Sequence, residues 1–282
     1  MKTNMPIDYF ADLATIVNQA LAEDVGSGDI TAALIDESKT ATATVITRDD
    51  AIICGKPWVD SVFETVNPNI HLHWFIAEGD SVTPGTKLFE ASGRTRSLLT
   101  AERTALNFLQ TLSGTATETH RLVKLIGHTE TELLDTRKTL PGLRLAQKYA
   151  VHIGGGNNHR IGLFDAFLLK ENHISASGSI AEAIARARVH SPQSRLEIEV
   201  ENLHQLRVAL DAEPDWIMLD NFSLTDISQA VRETNHATKL EVSGGIENEQ
   251  ELIKIAETGV DYISIGALTK HCRAVDLSML ID

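Results

Sequence analysis

From Glu132 onward, short β-rich runs alternate with amphipathic runs of helical period, a pattern that restricts the fold to a parallel sheet covered by helices. Glu132–Asp135 precedes Leu143–Val151, Ala166–Leu169 precedes Ile180–Val189, and Leu196–Val200 precedes Leu203–Leu210. Trp216–Leu219 precedes Ile227–Val231, Leu240–Val242 precedes Glu249–Ala256, and Tyr262–Ile265 comes last. A doubly wound sheet and an α/β barrel both satisfy this order. The distribution of polar residues favours the barrel. Arg137 and Lys138 follow the first run, Lys170 the second, Glu199 and Glu201 lie on or after the third, and Asp220 follows the fourth. Ser243-Gly244-Gly245 ends the fifth, and Ser264 and Gly266 end the sixth. Barrel sites are assembled from the C-terminal ends of many strands, whereas a doubly wound sheet concentrates its site at one switch point. Six strands rather than eight imply an incomplete, TIM-like barrel.

The first half has a different grammar. Ile7–Ala22 reads as a helix, Asp24–Asp29 as a turn-rich loop, and Ala43–Thr47 and His71–Phe75 as alternating strands. Glu78–Gly85 is similar to the turn of a biotinyl or lipoyl domain, but Phe89–Arg96 lacks the lysine that such domains modify. This half therefore reads as an α/β sandwich without a prosthetic group, followed by a helix from Leu98 to about Gly114. The expected partition is a sandwich domain over 1–114 and a barrel over 115–269. The tail, 270–282, is expected to return to the sandwich.

Charge narrows the range of partners. The chain of 282 residues has a formal net charge of -14, yet between Thr136 and Ile174 six Lys/Arg face only two acids. Such a local cationic site suits a small, multiply anionic ligand; nucleic acid or an anionic membrane calls for a larger basic surface. Cys54 and Cys272 make neither a disulfide framework nor a zinc spacing. Met1–Leu13 lacks the apolar stretch of a secretory signal, and no run approaches a membrane span, so the expected compartment is the cytoplasm.

Arginine's planar fork suits bidentate binding of carboxylate or phosphate, and lysine acts as a compact point charge. An isolated Arg-Lys pair is ordinarily solvated. Arg137 and Lys138 instead end a barrel strand and share a set with Arg160 and Lys170. Lys170 ends an apolar run, which leaves two readings open: a point charge for anions, or a desolvated Schiff-base nucleophile as in barrel aldolases. Gly154-Gly155-Gly156-Asn157-Asn158 is no P-loop, since no Gly-Lys-Ser/Thr follows; with His159-Arg160 behind it, it can bring backbone and cations close to an anion. Glu199 and Asp220 can hold Mg²⁺ or accept hydrogen bonds from sugar hydroxyls. Ser243–Gly245 and Ser264-Ile265-Gly266 resemble the late-strand phosphate sites of barrels.

Several of these segments occur together in one family. Thr136-Arg137-Lys138-Thr139, Gly154-Gly155-Gly156 with His159-Arg160, Leu169-Lys170-Glu171-Asn172-His173 and Met218-Leu219-Asp220-Asn221-Phe222 appear in this order. With Glu199-Val200-Glu201 and Glu241-Val242-Ser243-Gly244-Gly245-Ile246, they resemble the quinolinate phosphoribosyltransferases. The likeness runs from Glu23-Asp24 and Gly28-Asp29, through Glu102–Asn107, to Gly266–Thr269, almost the whole chain. It implies an N-terminal sandwich, an incomplete barrel, and a homodimer with sites between subunits. It also implies Mg²⁺-dependent conversion of quinolinate and phosphoribosyl pyrophosphate to nicotinate mononucleotide, CO2 and pyrophosphate in NAD synthesis. By position, Arg137, His159, Arg160 and Arg103 of a second copy would hold the quinolinate carboxylates. Thr136 would line the substrate site, and Lys138 and Lys170 would supply positive charge. Glu199 and Asp220 would face ribose and metal, and Ser243, Gly244, Gly245, Ser264, Ile265 and Gly266 the 5′-phosphate. A paralogous phosphoribosyltransferase with another acceptor, such as the one associated with molybdenum transport, and a lysine-dependent aldolase are the rival readings.

Overall fold

The computed structural model describes residues 7–246 and 248–281. In chain order the first elements are α1 (Leu13–Val25), β1 (Thr40–Thr47), β2 (Ala51–Ile52), α2 (Lys56–Val66), β3 (His71–Trp74), β4 (Ser81–Val82), β5 (Lys87–Arg94) and α3 (Thr95–Ile126). Next come β6 (Glu132–Leu134), α4 (Arg144–Ile153), β7 (Ala166–Leu169), α5 (Glu171–Ser177), α6 (Ile180–His190), β8 (Arg195–Val200) and α7 (Leu203–Asp211). The chain ends with β9 (Trp216–Asp220), α8 (Leu224–Thr234), β10 (Lys239–Ser243), α9 (Glu249–Ala256), β11 (Tyr262–Ser264), α10 (Ala267–Lys270) and β12 (Leu277–Ile281). Among the described residues no helix is long and apolar enough to cross a membrane.

The chain forms two compact units, neither continuous in sequence. One comprises Ile7–His120, Thr139–Gly155 and Ala267–Asp282; the other includes Arg121–Lys138 and Gly156–Gly266. In the first, an antiparallel sheet has the order β12-β1-β5-β3, and β2 pairs with β4. Period-two burial sends Ala43 and Val45 of β1 into the core, where Trp58 and Phe63 of α2 and Phe89 of β5 are also buried. Burial of Val45, Phe63 or Phe89 contributes roughly 1.5–3 kcal/mol each, and that of the Ala43 methyl about 0.8 kcal/mol. The turn at Glu78 has a local structural task. Its carboxylate accepts the N–H groups of Gly55 and Lys56, at 2.7 and 3.1 Å, and so caps α2 from a distance in sequence.

Two helices differ in their limits from the sequence-based expectation. α1 begins at Leu13 rather than Ile7, because the Asp8 carboxylate accepts the Phe10 N–H at 3.1 Å and holds a local turn. α3 starts at Thr95 and continues through Gly114 to Ile126. Gly114 is no stop signal: a Cβ there would lie 2.0 Å from the Arg273 carbonyl oxygen, so glycine permits the returning tail to pack against the helix.

The second unit contains six parallel strands in the order β6-β11-β10-β9-β8-β7. α6 turns Ile180, Ala183, Ile184 and Ala187 inward at helical spacing. Ser179, Asn202, Ser223 and Asn248 cap α6, α7, α8 and α9 by accepting the backbone N–H three residues on, each worth roughly 1 kcal/mol. The sheet is open between β6 and β7. Along the β6 edge runs an extended segment: Asn157 N–H donates to Leu133 O at 2.8 Å, and Asp135 N–H to Asn157 O at 3.1 Å. That segment carries His159 and Arg160 into the barrel interior. At the strands' N-terminal ends, Arg195 lies over Trp216 at 4.3 Å from the ring centroid, and Trp216 stacks on Tyr262 at 4.3 Å.

The packing at Gly114 predicts that Gly114→Ala costs about 1–3 kcal/mol, the range for an overpacked contact. The melting temperature should fall, and hydrogen exchange should rise first in β12. Unchanged β12 protection would refute the close-packing account.

Candidate active site

Parallel pairing places in-register residues on the same face, so the strand sequences can be read as layers. On β8 Arg195, Glu197 and Glu199 alternate with Leu196, Ile198 and Val200; Glu199 pairs in register with Met218 of β9. Ser243 of β10 pairs with Asp220 of β9, and Ser264 of β11 with Leu134 of β6. These rows thus set Glu199, Asp220, Ser243 and Ser264 beside Met218 and Leu134, a more polar filling than the branched aliphatic one usual in barrels.

The strand ends form four local groupings. At β6, Thr136 Oγ1 accepts the Lys138 N–H at 3.1 Å. The Lys138 stem crosses Gly266 of the neighbouring strand end, where a Cβ would lie 2.8 Å from Lys138 Cδ. The half-buried Arg137 lies close to Arg160; burial, and then the charge of Arg137, hold the Arg160 pKa below its ordinary value. Like charges that influence each other in this way favour the arrival of an anion.

At β7 and β8, Lys170 Nζ forms an ion pair with Glu199. The lysine side chain is 44% exposed and the glutamate's 8%, so the pair is anchored at its acidic end. Lys170 therefore stands as a paired ammonium, not as the desolvated amine of a Schiff-base enzyme. At β9 and β10, the Asp220 carboxylate accepts from Asn221 Nδ2 at 2.9 Å, and Asn221 N–H donates to Ser243 O at 3.1 Å. A Cβ on Gly244 would lie 2.3 Å from Asn221 Oδ1, and Gly244 has a φ of +83°. Both facts require glycine there. Ser264 is buried, and its hydroxyl has no hydrogen-bond partner among the described residues. Ile265 N–H donates to Leu134 O at 3.0 Å, so this expected phosphate donor is committed to the sheet.

His159 sits deeper. Its Nε2 lies 2.7 Å from a Glu197 carboxylate oxygen and 3.2 Å from one of Glu241. Its Nδ1 accepts the Arg160 N–H at 2.8 Å. Both nitrogens thus have partners inside the protein, whereas the sequence suggested that the ring itself meets a carboxylate. Two influences on its proton oppose each other. Burial disfavours the charged ring, but hydrogen bonds to Glu197 and Glu241 outweigh it and draw the pKa up to about 9. The donor facing Nδ1 favours one proton only, on Nε2. That fixed contact decides the tautomer, and the extra proton rests with the acids, where burial and Glu241 raise Glu197 to about 7. Glu197 and Glu241 were missed in the sequence. Their signal was parity: each lies two residues before a strand-end residue already singled out, Glu199 or Ser243.

The glycine run divides by role. A Cβ on Gly154 would lie 2.5 Å from Ala116 O and 2.7 Å from Thr119 Cβ, so this glycine permits α4 to pack on α3. Gly155 turns the chain with a φ of +90°. The cations then come from the segment beyond. Arg103 lies on α3 with an exposed side chain and Glu102 at 3.9 Å.

Comparison with known proteins gives a consistent result. Residues 115–280 match the model described as "Quinolinate phosphoribosyl transferase, C-terminal domain", and residues 29–113 the corresponding N-terminal domain. A Francisella tularensis nicotinate-nucleotide pyrophosphorylase structure is 48% identical, with a TM-score of 0.92 over 99% of this chain and 98% of that one. NadC from Streptococcus pyogenes is 37% identical, with a TM-score of 0.93 over 99% of both chains. A Nicotiana glauca protein named "Quinolinate phosphoribosyltransferase [decarboxylating] 1" is 38% identical over 96% of this chain and 83% of its own length.

The contact between Gly266 and Lys138 yields a prediction. In Gly266→Ala the flexible lysine can move aside, so stability should fall by less than about 1 kcal/mol. Pyrophosphate affinity by calorimetry should nevertheless weaken severalfold. Equal affinity in mutant and wild type would remove Lys138 from the anion site.

Proposed function

We propose that this chain, which belongs to the quinolinate phosphoribosyltransferase family, transfers phosphoribosyl from phosphoribosyl pyrophosphate to quinolinate. It then decarboxylates the adduct, giving nicotinate mononucleotide, CO2 and pyrophosphate for NAD synthesis, in the cytoplasm. The reading is supported by cationic residues gathered at the strand ends, Lys170 against Glu199 and the Lys138 stem across Gly266, with Arg137 near enough to Arg160 for its charge to be felt there. The pairing of Lys170 with Glu199 argues against the aldolase.

In the reaction the ring nitrogen's lone pair attacks the anomeric carbon. The bond from that carbon to the pyrophosphate oxygen breaks, and its electron pair leaves with pyrophosphate. The cost is separation of charge: an oxocarbenium-like centre and an anionic leaving group. Lys138 and Lys170 supply positive charge for the leaving group, and Glu199 and Asp220 face the ribose. Ser243 to Gly245, with Ser264 and Gly266, receive the 5′-phosphate, and the Ser264 hydroxyl is a donor in need of a partner. Arg137 and Arg160, with Arg103 of a second copy, hold the carboxylates, while the His159 ring stays with its partners inside the protein. Once alkylated, the ring nitrogen is cationic. The bond to the 2-carboxylate then breaks, CO2 departs, and the electron pair remains beside the positive nitrogen until a proton replaces it.

Mg²⁺ fits the donors present. Glu199 and Asp220 offer hard carboxylate oxygens, and glycine at 244 leaves the Asp220 oxygen uncrowded, since a Cβ there would approach Oδ1 to 3.2 Å. When bound with phosphoribosyl pyrophosphate, the metal supplies countercharge to the leaving group.

Product analysis with quinolinate and nicotinate in parallel, with Mg²⁺ and phosphoribosyl pyrophosphate present, tests the assignment. Nicotinate leaves one cation of the pair unmatched, so its kcat/KM should be lower by roughly 100-fold or more. Comparable turnover of nicotinate would overturn the reading and favour a paralogous acceptor specificity.

The in-trans role of Arg103 has its own test. Arg103→Ala and Lys170→Ala homodimers should each be nearly inactive. After co-refolding in equal amounts, half the dimers are mixed and each regains one intact site, so activity should return to roughly a quarter of wild type. Mixed dimers seen by mass spectrometry but without activity would exclude a shared site.

A further inference from the structure

Beneath the guanidiniums the barrel holds two acids to which the reaction gives no task. Glu197 on β8 and Glu241 on β10 are both 0% exposed, so no substrate touches them. Burying two carboxylates costs several kcal/mol unless their partners are well placed, and aliphatic residues ordinarily fill such positions. Their nearest cationic group is the His159 ring: Nε2 is hydrogen-bonded to Glu197 at 2.7 Å and lies 3.2 Å from a Glu241 oxygen, which has no hydrogen-bond partner among the described residues. The ring's other nitrogen takes the Arg160 N–H at 2.8 Å. From the opposite side, Asp135 accepts the His159 N–H at 2.9 Å and the Asn158 amide at 2.8 Å. The main chain leading into Arg160 is thus held by acids from two directions.

The position of these acids matters as much as their number. Arg137 and Arg160 repel each other, and Glu197 favours the Arg160 charge. An acid beside the guanidiniums would compete with a substrate carboxylate for the same donors. Glu197 and Asp165 both offset the repulsion, and Arg160 Nη1 donates to Ala166 O at 3.4 Å, so the guanidinium is held while its charge is balanced.

We propose that Glu197 and Glu241 are positioning residues for the dicarboxylate substrate: they fix the His159 ring, the ring fixes the Arg160 main chain, and the Arg160 guanidinium is thereby presented beside Arg137. The proposal rests on the phosphoribosyl-transfer reading above. One ligand atom each from His159, Glu197 and Glu241 lie within 4.8 Å of one another, a spacing that a cation could also use. The 2.7 Å contact and the donor at Nδ1 favour a proton between the ring and the acids.

The test uses Glu197→Gln and Glu241→Gln, which keep shape but weaken charge-assisted hydrogen bonds. Each should raise the KM for quinolinate about five- to tenfold, with that for phosphoribosyl pyrophosphate within about twofold of wild type. The melting temperature should hold or rise, because a buried charge is removed. Combined with Arg160→Ala, Glu197→Gln should add no further loss, since no guanidinium remains to be presented. Nitrogen-15 spectra of His159 should report an unprotonated Nδ1 in wild type and an altered ring environment in both variants. If Glu197→Gln does not fold, Glu241→Gln carries the same comparison. Three results would overturn the proposal: unchanged quinolinate KM, equal losses for both substrates that track a lower melting temperature, or a stoichiometric metal ion in wild type that Glu197→Gln releases. A wild-type protein that makes no nicotinate mononucleotide would sink the parent reading instead, and the His159 spectra would still judge the acid–histidine contact.

Discussion

The contact of His159 with Glu197 and Glu241 expresses a constraint on the whole second unit: charge brought inside a barrel must be balanced inside it. Water cannot solvate the interior, so each buried cation needs an acid within a few ångströms. The open seam between β6 and β7 delivers the Arg160 charge and the His159 ring that shares a proton with the acids, because the segment along the β6 edge leads directly into both. The strands deliver the acids, because β8 and β10 turn every second side chain inward. Neither contribution is stable alone. Arg160 without Glu197 would lose one of the acids that offset the charge of Arg137, and the acids without His159 would lose the ring with which they share a proton.

Close backbone approach is the second organising device. Gly266 admits the Lys138 stem, Gly244 admits Asn221, Gly154 lets two helices meet, and Gly114 admits the returning tail. These glycines look alike in the sequence. Two shape the mouth of the site and two serve packing within the first unit. A flexible loop around an anion, the reading suggested by the consecutive glycines 154–156, is replaced by a helix contact followed by a left-handed turn.

The rivals separate on environment, since the residues themselves are common to many enzymes. Lys170 has an acid partner and partial solvent access, which suits a fixed positive charge. Lys138, Lys170, Ser243 and Ser264 follow or end four of the six strands, so the proposed anion donors come from separate positions around the sheet. Glu199 and Asp220 end adjacent strands and bring oxygen ligands to the same region. Family membership and geometry therefore point to the same chemistry, each from a different kind of observation.

The sequence by itself determined the second unit's strands, because apolar runs bounded by turn residues are local signals. All six lie within a residue or two of their observed limits. It also determined the cationic character of the strand ends, since charge in an acidic chain stands out without a fold. Helix ends were less accessible: Asp8 stops a helix through a side-chain bond, and Gly114 continues one because of a residue more than a hundred positions away. Only the tertiary structure decided which charges are paired. Glu197 and Glu199 differ by one strand repeat and look equivalent in the chain, yet one is sealed beneath His159 and the other meets Lys170 near solvent. The reason is physical. Parity gives a side chain's face, but depth along the barrel, and so the dielectric around a charge, exists only once the strands are in register.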